Sequence, residues 1–230
     1  MNCAIIQPSY IPWRGYFHQI QKSDVFVFLD EVQYDKHGWR NRNRIKTKDG
    51  SSWITIPVLT KGNVEKHIPI NEIRINWQAD WSRKHLMTLQ QTYGKAPYFS
   101  LYRDCLEEYY ARHDELLADF TIDFTVALAR SLGITDTRFV RSSEIDSSPG
   151  KVERILMILQ SIGADHYISG PSARSYIDAR AFDEAGITIE YMEYDYPQYP
   201  QLSPPHDPKL SVLDLMFMTG ADAGNYIWKT

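Results

Sequence analysis

The apolar positions of the chain fall into two patterns. Short runs rich in β-branched and aromatic residues occupy residues 2–6, 24–29, 137–140, 165–168 and 187–191, and each is too short for a helix. They read as strands, the first two buried. Longer stretches carry helical spacing: Gly15 to Lys22, Trp81 to Met87 and beyond, Tyr98 to Arg112, Asp114 to Leu132, and Lys151 to Ile162. Pro97 separates the second from the third, Pro149-Gly150 precedes the last, and Gly133 and Gly163 are stops. A helix start is expected near Ser172, and Ser211-Val212-Leu213-Asp214 reads as a capped start of a final apolar helix.

Strands alternating with helices at both ends predict an α/β fold with a mainly parallel sheet. The first strand, helix and strand form a Rossmann-like β-α-β opening. Residues 39–46 and 52–58 predict a hairpin around Lys48-Asp49-Gly50-Ser51, with Asp-Gly as its turn. In an extended strand Arg40, Arg42, Arg44 and Lys46 share one face, and Trp39, Asn41, Asn43 and Ile45 the other. Residues 67–76 supply further strand, and the middle from Trp77 to Gly133 is helical. With no repeat, low-complexity tract or linker, residues 1–230 are expected to form one domain.

Composition narrows the function classes. A net charge of −4 advertises neither a nucleic-acid nor a membrane partner. Fifteen tyrosines exceed the needs of a core, and suit either a binding cleft or half-exposed strand positions. Cys3 and Cys105 have no metal-ligand spacing and read as buried thiols. No zinc, Walker or dinucleotide signature is present, so the sequence assigns no metal ligand and identifies no cofactor, the need for ATP or a metal staying open. Neither a signal peptide nor a spanning segment is legible, which makes the cytoplasm the expected location.

Candidate chemistry gathers just past strand ends, where open α/β sheets bind ligands. The turn after strand one holds Gln7, Pro8, Tyr10, Pro12, Trp13 and Gly15 ahead of a helix start that offers N–H groups to an anion. It resembles the first loop of nucleotidylyltransferases, although Tyr16 stands where that pattern has histidine. Strand two ends on Asp30, followed by Glu31, Gln33 and the basic strand. Asp30 is the expected general base. Arg42 and Lys46, with Asn41 beside them, are expected to hold an anionic donor; a merely solvated basic strand is the plainer alternative. Ser169, Gly170, Arg174 and Tyr176 form a second loop of small and ligand-facing residues. The tail contributes Tyr199, Gln201, His206, Asp207 and Asp214, with its prolines as an extended cover and His206 expected in solvent.

Several of these segments together resemble the WbqC-like family. They are Ile6-Gln7-Pro8, Ile11-Pro12-Trp13-Arg14-Gly15-Tyr16-Phe17, Ser23 to Asp30, Trp39 to Lys46, Tyr167 to Pro171 and Leu210 to Phe217. One departure is Ile6, where many members carry histidine before Gln-Pro. The resemblance implies a place in bacterial O-antigen or other surface-polysaccharide biosynthesis. It also implies transfer of an aminoacyl (glycine) or acyl group to the amine of a sugar or related metabolite. The expected partner is therefore a small-molecule or sugar substrate with a phosphate-bearing donor, not nucleic acid. Two alternatives stay open: an ATP-dependent activating enzyme of nucleotidylyltransferase type, and a non-catalytic glycan-binding or scaffold protein.

Overall fold

The computed structural model describes residues 1–60, 67–146, 150–175 and 177–228. Pro149 and Tyr176 lie outside the described residues. The fold is mixed α/β around a five-stranded sheet in the order β7-β2-β1-β8-β9, every neighbouring pair parallel. Its strands are β1 (Asn2–Ile6), β2 (Val25–Phe28), β7 (Arg138–Arg141), β8 (His166–Ser169) and β9 (Thr188–Tyr191). The central β1 and β2 read as apolar runs because both their faces are covered, whereas the edge strands β7 and β9 carry charged and polar residues. Ala4, Phe26, Phe28 and Ile168 point into one core, and Cys3, Ile5, Val25, Val27 and Tyr167 into the other.

Helix α1 (Arg14–Lys22) joins β1 to β2 and buries Tyr16, Phe17 and Ile20 in the first core. Between β2 and β7 the chain leaves the sheet. It forms a hairpin of β3 (Arg42–Thr47) and β4 (Gly50–Thr55), then a short pair of β5 (Val58–Leu59) and β6 (Arg74–Ile75). Three helices follow: α2 (Trp81–Tyr93), α3 (Phe99–Ala111) and α4 (Leu117–Ser131), which pack on the same side as α1. Then α5 (Lys151–Ser161) and α6 (Ala179–Glu184) cover the other face. An extended tail leads to α7 (Val212–Thr219), capped by Ser211, whose hydroxyl accepts from the Leu213 amide at 3.2 Å.

The chain builds outward from β1 to β2 and β7, then returns to lay β8 and β9 on the other side. The carboxyl ends of β1 and β8 therefore meet where the strand order reverses, the place where open α/β sheets leave a crevice.

Some expected elements shift. The hairpin turn is Lys48-Asp49, since Thr47 pairs with Gly50, whose φ of 130° a glycine accepts readily. The strand begins at Arg42, and Asn41 before it still faces Ile56: the Ile56 amide donates to the Asn41 carbonyl at 2.8 Å, and Asn41 Nδ2 donates to the Ile56 carbonyl at 2.7 Å. Arg40 lies before the strand, outside the register that holds Arg42. Lys46 breaks the alternation from the other end and is buried beside Ile45. Residues 67–76 give only Arg74–Ile75 as strand, after a 3-10 turn at Ile70–Glu72. The segment near Ser172 is likewise a 3-10 turn, Pro171–Ser175. Cys3 is buried as expected, but Cys105 is half-buried.

Candidate functional site

A cavity of about 430 Å³ opens at the carboxyl end of β1. Its floor and one wall are Ile6, Ser9, Pro12 and Trp13 of the turn after β1, with Tyr16 and Gln19 of α1. The segment leading into the hairpin adds Trp39, Arg40 and Asn43, and the tail adds Lys209. Apolar rings and the half-buried Arg40 dominate it, the usual make-up of a small-molecule site.

The turn is held in shape from several sides. Ile11 has φ 37°, a left-handed conformation that costs a β-branched residue free energy. Asn43 supports it by donating Nδ2 to the Tyr10 and Ile11 carbonyls at 3.2 and 2.8 Å. The Tyr10 amide donates to the Trp39 carbonyl, and the Val212 amide to that of Pro12, at 3.2 and 2.8 Å. Gly15 has a specific reason: a Cβ there would lie 2.4 Å from the Trp13 ring. The group that this glycine admits is thus the indole of Trp13. Tyr194 then packs edge-on against that indole at 4.9 Å, and Tyr196 at 6.2 Å.

Arg40 is the electrostatic centre of the cavity. Its Nε is sealed from solvent with no hydrogen-bond partner, and it makes no ion pair among the described residues. Burial lowers its pKa, and Tyr16, Asp35 and Tyr34 offset part of that cost. An arginine stays charged under such pressure, so a cation without an ion pair faces the cavity. Tyr16 donates its hydroxyl to the Gln7 carbonyl at 3.2 Å, and burial pushes its pKa up, which keeps the proton in place.

The profile of the WbqC-like protein family matches residues 7–226. The chain belongs to the WbqC-like family. Among its relatives is the uncharacterized protein Rv1507c of Mycobacterium tuberculosis, 42% identical over 226 residues, which cover 97% of this chain and 96% of that one. No solved structure matches the chain. Three of the WbqC-like segments, at residues 6–8, 11–17 and 39–46, supply most of the cavity wall. Among the described residues no helix is long and apolar enough to cross a membrane, and no cluster of three or more His, Cys, Asp or Glu could hold a metal.

Of the candidate residues, Trp13 lines the cavity, Gly15 seats its indole, and Gln7 borders it through its carbonyl. The others fall elsewhere. Tyr10 is fully buried, its hydroxyl 2.9 Å from His85 Nδ1 and bonded to the Tyr110 hydroxyl. Asp30, 0% exposed, accepts from Arg141 Nε at 2.7 Å, Ser142 Oγ at 3.2 Å, and the Ser143 amide and hydroxyl at 3.0 and 2.9 Å. That carboxylate is saturated and ties the end of β2 to that of β7. Arg42 donates to the carbonyls of His37 and Gly38 and stacks on Trp53 at 4.6 Å. Lys46 gives its ammonium to the Pro205 carbonyl. Gln33 is exposed, bridged to Pro69.

The second loop approaches through Tyr194, whose hydroxyl would lie 3.7 Å from a Cβ on Gly170. Ser169 donates to the Tyr167 hydroxyl at 3.3 Å, and Arg174 stacks on Tyr191 at 4.5 Å. Tyr199 donates to Asp214 Oδ2 at 2.8 Å, and Tyr93 to Oδ1 at 2.8 Å. His206 is half-buried against the Tyr199 ring, not in solvent, because residues 201–207 fold back on themselves through Gln201 and Asp207. Sequence reading passed over Gln19 and gave Arg40 no separate role. A lone amide among Tyr16, Phe17 and Ile20 on the buried face of α1 is the signal that marks Gln19.

Proposed function

We propose that the chain is a transferase that holds a small anionic donor on Arg40 and passes an acyl or aminoacyl group to the amine of a sugar or related metabolite. The observation that carries this reading is Arg40 on the wall of the cavity, its Nε sealed without a hydrogen-bond partner and its guanidinium without an ion pair among the described residues. A half-buried cation that no carboxylate pairs is a ready holder of an anion, because a ligand's negative charge meets it where water is partly excluded. The flat walls of Trp13 and Trp39 suit the uncharged part of such a donor.

An acyl phosphate fits the set of groups. The amine nitrogen attacks the acyl carbon, the C–N bond forms as the C–O bond to phosphate breaks, and the phosphate leaves with the electron pair. Arg40 holds that departing anion. The amine's surplus proton passes to solvent, because a phosphate leaving group needs no protonation.

The second reading is a non-catalytic binding protein. It is favoured by the lining itself, which among the described residues contains no carboxylate, imidazole or thiol to act as a base.

Calorimetry with acetyl phosphate, followed by mass spectrometry of mixtures with amino sugars, tests the proposal. Arg40→Lys keeps the charge and loses the planar fork, so binding should weaken by about 1–3 kcal/mol. Arg42→Lys should leave binding unchanged. Product formed without ATP supports a preactivated donor, and product formed only with ATP indicates an activating ligase. Binding without turnover indicates the non-catalytic protein, and the reverse order of the two arginine variants would sink the Arg40 site.

A further inference from the structure

Two buried polar atoms of the cavity wall have no partner, and they are of opposite kinds. One is Arg40 Nε, a donor on a cation; the other is Gln19 Oε1, an acceptor. The wall's other buried polar side chains are spent on the fold. The hydroxyls of Ser9 and Tyr16 both donate to the Gln7 carbonyl, at 3.5 and 3.2 Å. Asn43 uses Nδ2 on two carbonyls and Oδ1 on the Arg44 amide at 2.8 Å.

Gln19 is 5% exposed on the inner face of α1 and donates Nε2 to the Tyr194 hydroxyl at 2.6 Å. That bond fixes the amide and leaves its oxygen unmatched. Buried acceptors are almost always matched in folded proteins, so an orphan on a cavity wall marks a place for a ligand's hydrogen.

We infer that the ligand of this cavity is an organic anion that also carries a hydrogen-bond donor, an ammonium or a hydroxyl group. Its anionic group meets Arg40 and its donor meets Gln19 Oε1. Its apolar remainder lies against Trp13, Trp39 and Ile6. Both orphan atoms belong to one cavity of about 430 Å³, so a single small molecule spans them. This inference rests on the reading of Arg40 as an anion holder and adds the second half of the recognition.

Three acids with one carbon skeleton test it: L-phenylalanine, L-phenyllactate and 3-phenylpropionate. They differ only in an ammonium, a hydroxyl or a hydrogen beside the carboxylate. At least one donor-bearing acid should bind the wild-type protein about tenfold more tightly than 3-phenylpropionate in calorimetry, the worth of one hydrogen bond to a buried acceptor. Which one does so separates ammonium from hydroxyl. Gln19→Leu should bring the ratio close to one.

Equal binding of all three acids, or tightest binding of 3-phenylpropionate, overturns the inference. No binding of any acid at millimolar concentration overturns it as well. If the three bind equally but Arg40→Met abolishes binding, the anion site survives and only the donor requirement falls. If binding persists in Arg40→Met, both fall together.

Discussion

Two neighbouring arginines show how a single residue's surroundings decide its use. Arg42 lies in the strand, where the diagonal neighbour across the hairpin is Trp53, and its guanidinium is consumed by that ring and by two loop carbonyls. Arg40 lies two residues earlier, outside the ladder, and keeps its charge for the cavity. Asp30 makes the same point for acids. A carboxylate at a strand end looks like a base in sequence, but here four hydrogen bonds fill its lone pairs. Asp30→Asn should therefore lower folding stability by about 3–5 kcal/mol, the cost of stranding a partner of a buried ion pair. Urea denaturation measures this. Unchanged stability together with lost activity would return Asp30 to the role of base.

At the scale of elements, the opening turn, the hairpin and the tail form one assembly around the cavity. Trp13 bridges to Ser211, the Ser211 amide donates to the Arg44 carbonyl at 2.9 Å, and Arg44 pairs with Asp207 at 3.1 Å. The tail thus locks onto both other elements and presents Tyr194 and Tyr196 to the Trp13 indole. Gly15 is where this arrangement is most sensitive. Gly15→Ala would put a methyl into the indole, which must move away from the cavity wall. Ligand binding should fall at least about tenfold, a loss near 1.4 kcal/mol. A changed tryptophan emission spectrum should accompany it, with the helical circular dichroism signal kept. Normal binding with an unaltered spectrum would mean that the indole adapts without cost. The family segments of the opening turn were legible because proline, tryptophan and glycine each restrict the backbone in a recognisable way. The role of the tail was not, since its hydrogen bonds join residues more than 150 positions apart.

At the scale of the whole molecule, α2, α3 and the opening turn meet at His85, buried between Tyr10 and Trp81. Burial lowers its pKa to about 4 from the ordinary 6.5, a hydrogen bond to the Thr55 backbone opposing part of the shift. A depressed pKa contributes stability that is present above pH 6.5 and lost as pH falls towards 4. The loss should be on the order of 3 kcal/mol across that window. His85→Gln, which keeps a hydrogen-bond partner for Tyr10, should flatten the slope in denaturant titrations at successive pH values; equal slopes would exclude His85 as its source. Asp214 acts in the opposite sense, since burial raises its pKa and favours the protonated form in acid.

The sequence by itself determined the strands and helices of the sheet, because their apolar periodicity and their glycine and proline stops are local properties. It also determined the family, through short motifs that need no neighbours. Only the tertiary structure decided which polar groups are free. Asp30, Lys46, Tyr10 and Arg42 look as available to a ligand in the sequence as Arg40 and Gln19. Their partners, among them Arg141, Pro205 and His85, come from distant parts of the chain and consume them. A hydrogen-bonding group is available to a ligand only when folding leaves it unmatched, and that is a property of the assembled molecule.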